Sequence, residues 1–309
     1  MSVTHHHDKV CPTGHDHIED VGRDKVVDAD DAGSIMDGGT HFPDGGVQAW
    51  RTTLGGFLSF IASIGFLSGG SLFQSYFQTA VLRESSPSEI TWIGSVQVWG
   101  CFFFGTWSGR LSDKYGPSLP MAIGTFFLTL GNMTASISKT YYQFPPYRGF
   151  RVALGMGLIF TPALAVQSQW FFKRRRLVIG LVMSGQTVGG VIWPILVNRL
   201  LNYGTMSPEW TSRTIAFMQL GIMILAILLV RPRFPRCSEY ESLAIHRFFT
   251  DRRVLLFSLA IFLMDLSLYV PWFFITPYAV TSGSPASLSF HDAAILNAGG
   301  FVGCPGTHP

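Results

Sequence analysis

Charged residues are scarce in this sequence, and its cysteines show no pattern that would hold a fold together. Asp, Glu, Lys and Arg make up 13% of the 309 residues, which is about half the share found in soluble domains. The four cysteines have no paired spacing, which excludes a disulfide framework. Hydrophobic residues account for 48%, and the mean hydropathy is +0.31. The composition therefore excludes an ordinary soluble domain and indicates a membrane protein.

The groupings of residues on which enzymes and metal sites depend are also missing. All nine histidines lie outside the clear hydrophobic segments, and no nucleophile–base pair falls inside one. Several metal-ligating side chains near the N-terminus lack the spacing of a zinc site; they are His5, His6, His7, Cys11, His15 and His17. We expect no enzyme activity, no metal, no cofactor and no nucleic-acid partner.

A polar segment, rich in Asp, Gly and His, occupies residues 1–49. It has no hydrophobic region of the kind that a secretory signal peptide needs, and too few apolar residues to form a core. We expect it to be a disordered cytoplasmic tail.

Hydrophobic segments of membrane-crossing length begin at Trp50. About 20 mostly apolar residues cross a bilayer as a helix. The candidate segments cover residues 50–76, 90–108, 119–137, 152–172, 177–201, 215–230 and 254–278, and an eighth begins near Ala293 and stops. The pattern predicts an all-α, polytopic membrane protein that is surrounded by the lipid bilayer.

Lys and Arg are distributed unevenly over the linkers between these segments. The linkers after the second, fourth and sixth segments hold 12 of them, whereas the linkers on the opposite side hold 5. Since cytoplasmic linkers carry an excess of Lys and Arg, we predict that the even-numbered linkers and the N-terminus are cytoplasmic.

A block of cations and a run of small residues follow one another in residues 170–194. The cations directly precede an apolar run; they are Lys173, Arg174, Arg175 and Arg176. Such a block fixes one end of a helix at the membrane surface, because cations enter hydrocarbon only at high cost. Gly180 with Ser184, and Gly185 with Gly189, lie four residues apart and leave a flat face for close helix packing. We interpret the cations as a cytoplasmic hinge before a tightly packed helix.

Three motifs in this sequence resemble those of a known family. The first comprises Phe171, Lys173, Arg174, Arg175, Leu177, Gly180, Gly185 and Gly189. It resembles the loop and fifth helix of the monocarboxylate transporter family, within the major facilitator superfamily. The run PDGGVQAW at residues 43–50 resembles the fungal form of that family's first helix. The run GRLSDKYG at residues 109–116 is similar to the superfamily's loop between helices two and three. The resemblance covers residues 43–302.

This resemblance implies a major-facilitator-type helical bundle and a transport function. We expect a complete six-helix bundle over residues 50–231, a central cytoplasmic loop over 232–253 and a partial second bundle over 254–309 with the seventh helix and a stub of the eighth. The implied function is secondary active transport of a small organic solute, monocarboxylate-like or a related metabolite. Alternating access with proton symport is the implied mechanism, at the plasma membrane.

Asp265 and Tyr269 are candidates for the substrate or proton pathway. Asp265 lies within the seventh segment, and a carboxylate at that depth is costly unless it faces water or a partner. Tyr269 follows one helical turn later and would share its face. The alternative is a register that places Asp265 near the membrane surface.

The motif at residues 109–116 implies a gating loop, formed by Gly109, Asp113, Lys114 and Gly116. Asp113 would accept hydrogen bonds in only one of two transport states, which is a common way to build a switch. The alternative is a solvated turn in which Gly116 and Pro117 end the helix.

Departures from the family pattern leave the solute open. Ser68 stands where proton-coupled members carry a lysine, and Cys304 stands where they carry an arginine. The usual mechanism for a carboxylate and its proton lacks both cations here. Other uncharged polar residues either line the pathway or form interhelical hydrogen bonds; they are Gln74, Gln97, Gln167 and Asn297.

The end of the sequence raises a second hypothesis about function. Superfamily members have two six-helix halves, and residues 304–309 cannot complete a membrane helix. We therefore expect a chain truncated at its C-terminus that does not transport by itself. The alternative function is that of a non-transporting remnant or a membrane interaction protein.

Overall fold

The computed structural model describes residues 45–68, 87–136, 149–202, 208–233 and 252–282, together with Ile295. These residues are helical apart from turns and short connections, and no strand occurs among them. The helices of this part of the chain are α1 (Val47–Ala62), α2 (Ile64–Ser68), α3 (Pro87–Tyr115), α4 (Ser118–Ala135), α5 (Arg151–Ala165), α6 (Gln167–Trp170), α7 (Arg175–Asn202), α8 (Pro208–Leu229) and α9 (Arg252–Thr281). The prediction of an all-α protein is confirmed.

The helices follow the predicted hydrophobic segments, with two differences in their boundaries. Helix α8, which corresponds to the sixth segment, begins at Pro208, seven residues before the predicted start of that segment. Proline suits the first turn of a helix, but Glu209 and Arg213 make that part of the helix too polar for a hydropathy pattern to include it. Helix α3, which corresponds to the second segment, continues to Tyr115, so residues 109–115 are its last turns and not a loop.

Within the described residues, the first and fourth segments each contain two helices. A break at Ser63 separates α1 from α2, and a break at Val166 separates α5 from α6. Pro162 lies within α5, and its missing N–H leaves the Leu158 carbonyl, one turn earlier, without a helical donor. That carbonyl accepts from the Ser108 hydroxyl of α3 at 3.0 Å. Proline therefore explains neither break.

The first six segments pack as one bundle around α1 and α5. Helix α1 contacts α7, α8 and, less extensively, α5. Helix α5 contacts α3 on one side and α4 on another, and α8 contacts both α1 and α4. Helices α4 and α8 thus lie on one side of the α1–α5 pair, with α7 beside α1 and α3 beside α5.

Glycine allows the closest approaches between these helices. A Cβ atom on Gly189 of α7 would lie 2.7 Å from the Ile61 carbonyl oxygen and 2.8 Å from the Gly65 Cα atom. On Gly185 it would lie 2.5 Å from the Phe57 carbonyl oxygen. The prediction of a flat packing face in the fifth segment is thus confirmed for Gly185 and Gly189, which contact α1 and α2.

Helix α5 uses glycine on two of its sides. A Cβ atom on Gly155 would lie 2.7 Å from the carbonyl oxygen of Gly124 in α4. On Gly157 it would lie 2.7 Å from the carbonyl oxygen of Cys101 in α3. Because both neighbours approach the α5 backbone directly, α5 has little room for larger side chains on these two sides.

The outer surface of this bundle is apolar, as expected for lipid contact. Phe126, Phe217 and Leu228 are each at least 60% exposed. Three segments among the described residues are long and apolar enough to cross a membrane; they are Arg151–Trp170, Arg175–Val197 and Trp210–Leu229.

Candidate functional site

Three phenylalanine rings form a continuous aromatic row across α1, α5 and α3. The ring centroids of Phe60 and Phe160 are 5.5 Å apart, and those of Phe160 and Phe102 are 6.0 Å apart. Phe60 is buried, Phe160 is partly buried and Phe102 is 44% exposed. The row therefore leads from the core of the bundle to its surface.

The row opens on the side of the bundle away from α4. Phe160 contacts α1 through Phe60 and α3 through Phe102, whereas α4 packs against α5 through Gly155. Leu164 follows Phe160 by one helical turn and lies on the same side of α5. Both are partly buried over a core formed by Phe60, Ile64, Ala163 and Val182. We call Phe60, Phe102, Phe160 and Leu164 the aromatic face.

Charge is absent from the middle of the described helices that surround the aromatic face. The Lys and Arg residues of α1, α3, α5 and α7 lie among the first or last six residues of their helices; they are Arg51, Arg110, Lys114, Arg151, Arg175, Arg176 and Arg199. Two nearby hydroxyl groups donate to backbone carbonyls, from Thr161 to Gly105 at 2.8 Å and from Thr106 to Phe102 at 3.2 Å. The face thus offers apolar and aromatic contact without a cation.

Gln167 connects the fourth segment to the first. Its amide Nε2 donates to the carbonyls of Thr52 at 3.3 Å and Ala163 at 3.2 Å, and its Oε1 accepts from the Thr53 hydroxyl at 3.2 Å. The side chain is fully buried. Of the two roles open to Gln167 from the sequence, the structure supports interhelical hydrogen bonding.

The segment predicted as a gate lies at the end of α3. Gly116 has a φ of 86° and its N–H donates to the Ser112 carbonyl at 2.8 Å, so it ends the helix in the left-handed conformation that glycine favours. Asp113 and Lys114 are exposed, and the Lys114 ammonium lies 5.2 Å from the Tyr115 ring centroid. A Cβ atom on Gly109 would lie 3.4 Å from Thr161 Cγ2 of α5.

Asp113 forms no ion pair within the part of the chain that the structure describes. Although the residue as a whole is exposed, partial burial of its carboxyl raises the pKa of Asp113 above the ordinary value. Its role as a state-dependent switch stays a prediction.

The predicted hinge is attached to two other segments at the same end of the bundle. The Phe171 ring packs edge-on against Trp50 at the start of α1, with centroids 5.6 Å apart. The Trp170 indole donates to the Arg231 carbonyl at 3.0 Å, and the Arg233 N–H donates to Gln169 Oε1 at 3.2 Å. The cations of the hinge, Lys173, Arg174 and Arg175, are exposed just beyond these contacts.

The opposite end of α8 has an attachment of its own. Arg213 Nε donates to the Ser136 hydroxyl at 3.2 Å, and its guanidinium lies 5.0 Å from the Trp210 ring centroid. Arg213 thus lies near the start of α8, and Arg231 lies just beyond its end. The side of the membrane on which each end lies stays a prediction.

The structure does not test whether the predicted pathway residues lie together. Ser68 is the last described residue of α2, and Asp265 and Tyr269 lie in α9, but none of their side chains is described. Gln74 and Asn297 lie outside the described residues. The aromatic face was not predicted, because phenylalanine is common in membrane helices and gives no signal of its own in one sequence.

The sequence profile of the Major Facilitator Superfamily matches residues 52–308. The chain belongs to this superfamily. It is 36% identical over 283 residues to the "Fujikurins efflux protein" of Gibberella fujikuroi, covering 89% of this chain and 59% of that protein. It is 32% identical over 263 residues to the "MFS-type transporter pytF" of Aspergillus terreus, covering 84% of this chain and 88% of that protein.

A solved structure agrees at the level of the fold. The crystal structure of a D-xylose-proton symporter aligns with a TM-score of 0.55 and 13% identity, over 81% of this chain and 65% of that one. Membership of the superfamily makes this chain an integral, multi-pass helical membrane protein of a transporter family, not of an enzyme family. It spans about three fifths of the length of the Fujikurins efflux protein.

Proposed function

We propose that this protein carries a small organic solute across the plasma membrane by alternating access with proton coupling. The proposal combines membership of a transporter superfamily with the three motifs that resemble the monocarboxylate transporter family. Because one similar protein is named as an efflux protein, export of a metabolite is the direction we favour. The solute would bind near the middle of the bilayer, where superfamily halves meet.

The aromatic face is the observation that favours a solute class. The aromatic rings of Phe160 and Phe102 lie next to each other and would favour contact with a flat, unsaturated group of the solute. A carboxylate would need a cation or several donors in a medium of low polarity, and Ser68 replaces the lysine that proton-coupled relatives use. We therefore propose an uncharged, ring-bearing solute, a metabolite related to the monocarboxylates only through the family of its carrier.

Coupling and gating are proposed to rest on residues other than those of the aromatic face. Asp265, with Tyr269 one turn later, is the proposed proton site, and Ser68, Gln74 and Asn297 are proposed to line the pathway. Asp113 and Lys114 are proposed to act in the gate. The N-terminus would be cytoplasmic, which agrees with the meeting of α1, the hinge and residues 231–233 at one end of the bundle.

A flux measurement with matched solutes tests this proposal. The protein is expressed from its complete transcript and reconstituted into vesicles with a proton gradient. Phenyl β-glucoside is compared with its 4-carboxy derivative and with lactate, since the glucosides differ mainly in charge. We expect the uncharged glucoside to move fastest. We also expect Phe160→Leu to weaken its apparent affinity about three- to tenfold, as aromatic contacts of this kind would predict.

Phe126→Leu is the matched control, because this exposed phenylalanine lies on α4, outside the aromatic face. It should leave affinity unchanged. Faster movement of lactate or the carboxylated glucoside would contradict the solute class but not transport. If the inserted protein moves none of the three solutes, the alternative function of a membrane interaction protein is favoured.

A further inference from the structure

The break in the first segment leaves two backbone carbonyls that accept side-chain donors. The Ile61 carbonyl accepts from the Trp193 indole Nε1 at 2.7 Å, and the Ala62 carbonyl accepts from Gln219 Nε2 at 2.9 Å. These residues immediately precede Ser63, where α1 ends and α2 begins. Donors from two other helices, α7 and α8, therefore meet at one interruption of the first segment.

Trp193 also reaches the helix beyond the break. Its ring packs edge-on against Phe66 of α2, with centroids 5.7 Å apart, while its N–H bonds to Ile61 of α1. The side chain is 1% exposed. One residue of α7 thus contacts both halves of the first segment.

Both halves of the first segment pack on α7, but α1 has additional partners. Helix α1 packs against α8 at Gly55, where a Cβ atom would lie 2.9 Å from the Ala226 carbonyl oxygen, and Gln167 bonds it to α6. Helix α2 packs chiefly on α7, through Gly65 against Gly189. The break therefore joins a half held from several sides to a half held mainly from one.

Gln219 is itself held in place by a third helix. Asn132 of α4 donates from Nδ2 to Gln219 Oε1 at 2.7 Å. Both amides are buried, with Asn132 3% and Gln219 0% exposed. With its Oε1 occupied by Asn132, the amide group of Gln219 presents its Nε2 to the Ala62 carbonyl.

We propose that Trp193 and Gln219 are positioning residues that fix the angle between α1 and α2. In a membrane, backbone groups released by a helix interruption need partners inside the protein, and these two donors supply them. Their removal would let α2, which ends at Ser68, change its tilt relative to α1. The role in transport rests on the proposed function, but the positioning itself requires no solute.

Hydrogen exchange of the 309-residue chain in lipid nanodiscs tests the positioning. Trp193→Phe keeps an aromatic ring beside Phe66 but removes the indole N–H, and Gln219→Met keeps the length of the side chain but removes its amide. Each variant should speed exchange of the amides in residues 61–68 about three- to tenfold, as the loss of one hydrogen bond predicts. Exchange in the middle of α5 should not change.

Two substitutions serve as matched controls. Trp99→Phe makes the same change at an exposed tryptophan of α3, and Thr214→Val removes a hydroxyl of α8 that bonds to Trp210 in its own helix. Neither should alter exchange in residues 61–68. If the control and test variants speed amide exchange at residues 61–68 equally, the proposal is overturned.

A paired variant separates positioning from general destabilisation. Gln219→Met leaves a buried Asn132 amide without its acceptor, which is costly, whereas Asn132→Leu with Gln219→Met removes both partners. The paired variant should regain thermal stability over Gln219→Met and still exchange rapidly at residues 61–68. Exchange that returns to the parent rate would refute positioning by Gln219. If the exchange rates change as expected but no solute moves in the flux measurement, only the proposed function is contradicted.

Discussion

Replacing Gly189 by alanine adds a single methyl group where α7 meets the break in the first segment. The new Cβ atom would lie 2.7 Å from the Ile61 carbonyl oxygen and 2.8 Å from the Gly65 Cα atom. Both are backbone atoms, so no side chain can rotate away. The helices must separate by roughly 0.7 Å to reach an ordinary contact, and overpacking of this kind costs about 1–3 kcal/mol.

Gly221→Ala provides a control with the same chemical change. Gly221 lies in α8, and a Cβ atom there would have nothing within 4 Å. Alanine favours a helix over glycine by about 1 kcal/mol, so this variant should be as stable as the parent or more stable. The difference between the two variants therefore isolates the helix contact from helix propensity.

The measurement is the rate of thermal inactivation in detergent, because membrane proteins often unfold irreversibly and a rate is then the meaningful quantity. Loss of monodisperse protein at a fixed temperature is followed for the parent and both variants. We expect Gly189→Ala to be lost faster than the parent and Gly221→Ala not to be. If Gly189→Ala persists as long as Gly221→Ala, the close contact of α2 with α7 is not as the structure describes it.

Three further predictions concern topology, gating and coupling. Arg175→Cys should react with a membrane-impermeant thiol reagent only after cells are permeabilised, because the hinge is predicted to be cytoplasmic; labelling of intact cells would reverse the topology. Asp113→Asn should slow flux while insertion and stability stay at parent levels, since it removes charge but keeps shape; parental flux at equal expression would exclude a gating role. Asp265→Asn should change the pH dependence or the apparent affinity of flux; a profile that matches the parent at every pH would make Asp265 a surface or structural carboxylate.

Hydropathy predicted most helices of the described part because a bilayer leaves the backbone few alternatives. The spacing of Gly185 and Gly189 also predicted a close helix contact, since small residues four apart lie on one face. The predicted start of α8 was wrong because the prediction relied on hydropathy, which identified the other helices correctly. Glu209 and Arg213 lower the hydropathy of a turn that is nonetheless helical.

The break at Ser63 and the aromatic face could not be predicted from one sequence. No proline marks the break, and serines such as Ser59 and Ser63, whose hydroxyls bond to carbonyls one turn earlier, also occur in unbroken helices. The donors at the break come from helices that are distant along the chain. Phe60, Phe102 and Phe160 likewise belong to three helices whose neighbours are set by tertiary packing. The sequence indicated only that Gln167 is a polar residue within a hydrophobic segment. The structure was needed to identify its partners in α1.

The two donors at the break have a consequence for how the protein is made. Trp193 lies 132 residues after Ile61, and Gln219 lies 157 residues after Ala62. Synthesis from the N-terminus therefore delivers the first segment to the membrane long before either donor exists. Until the fifth segment is inserted, the Ile61 carbonyl depends on water, on other chain segments or on an unbroken helix for its hydrogen bond, and the Ala62 carbonyl does so until the sixth is inserted. The two side-chain hydrogen bonds at the break are thus late products of assembly, completed only after the sixth segment leaves the ribosome.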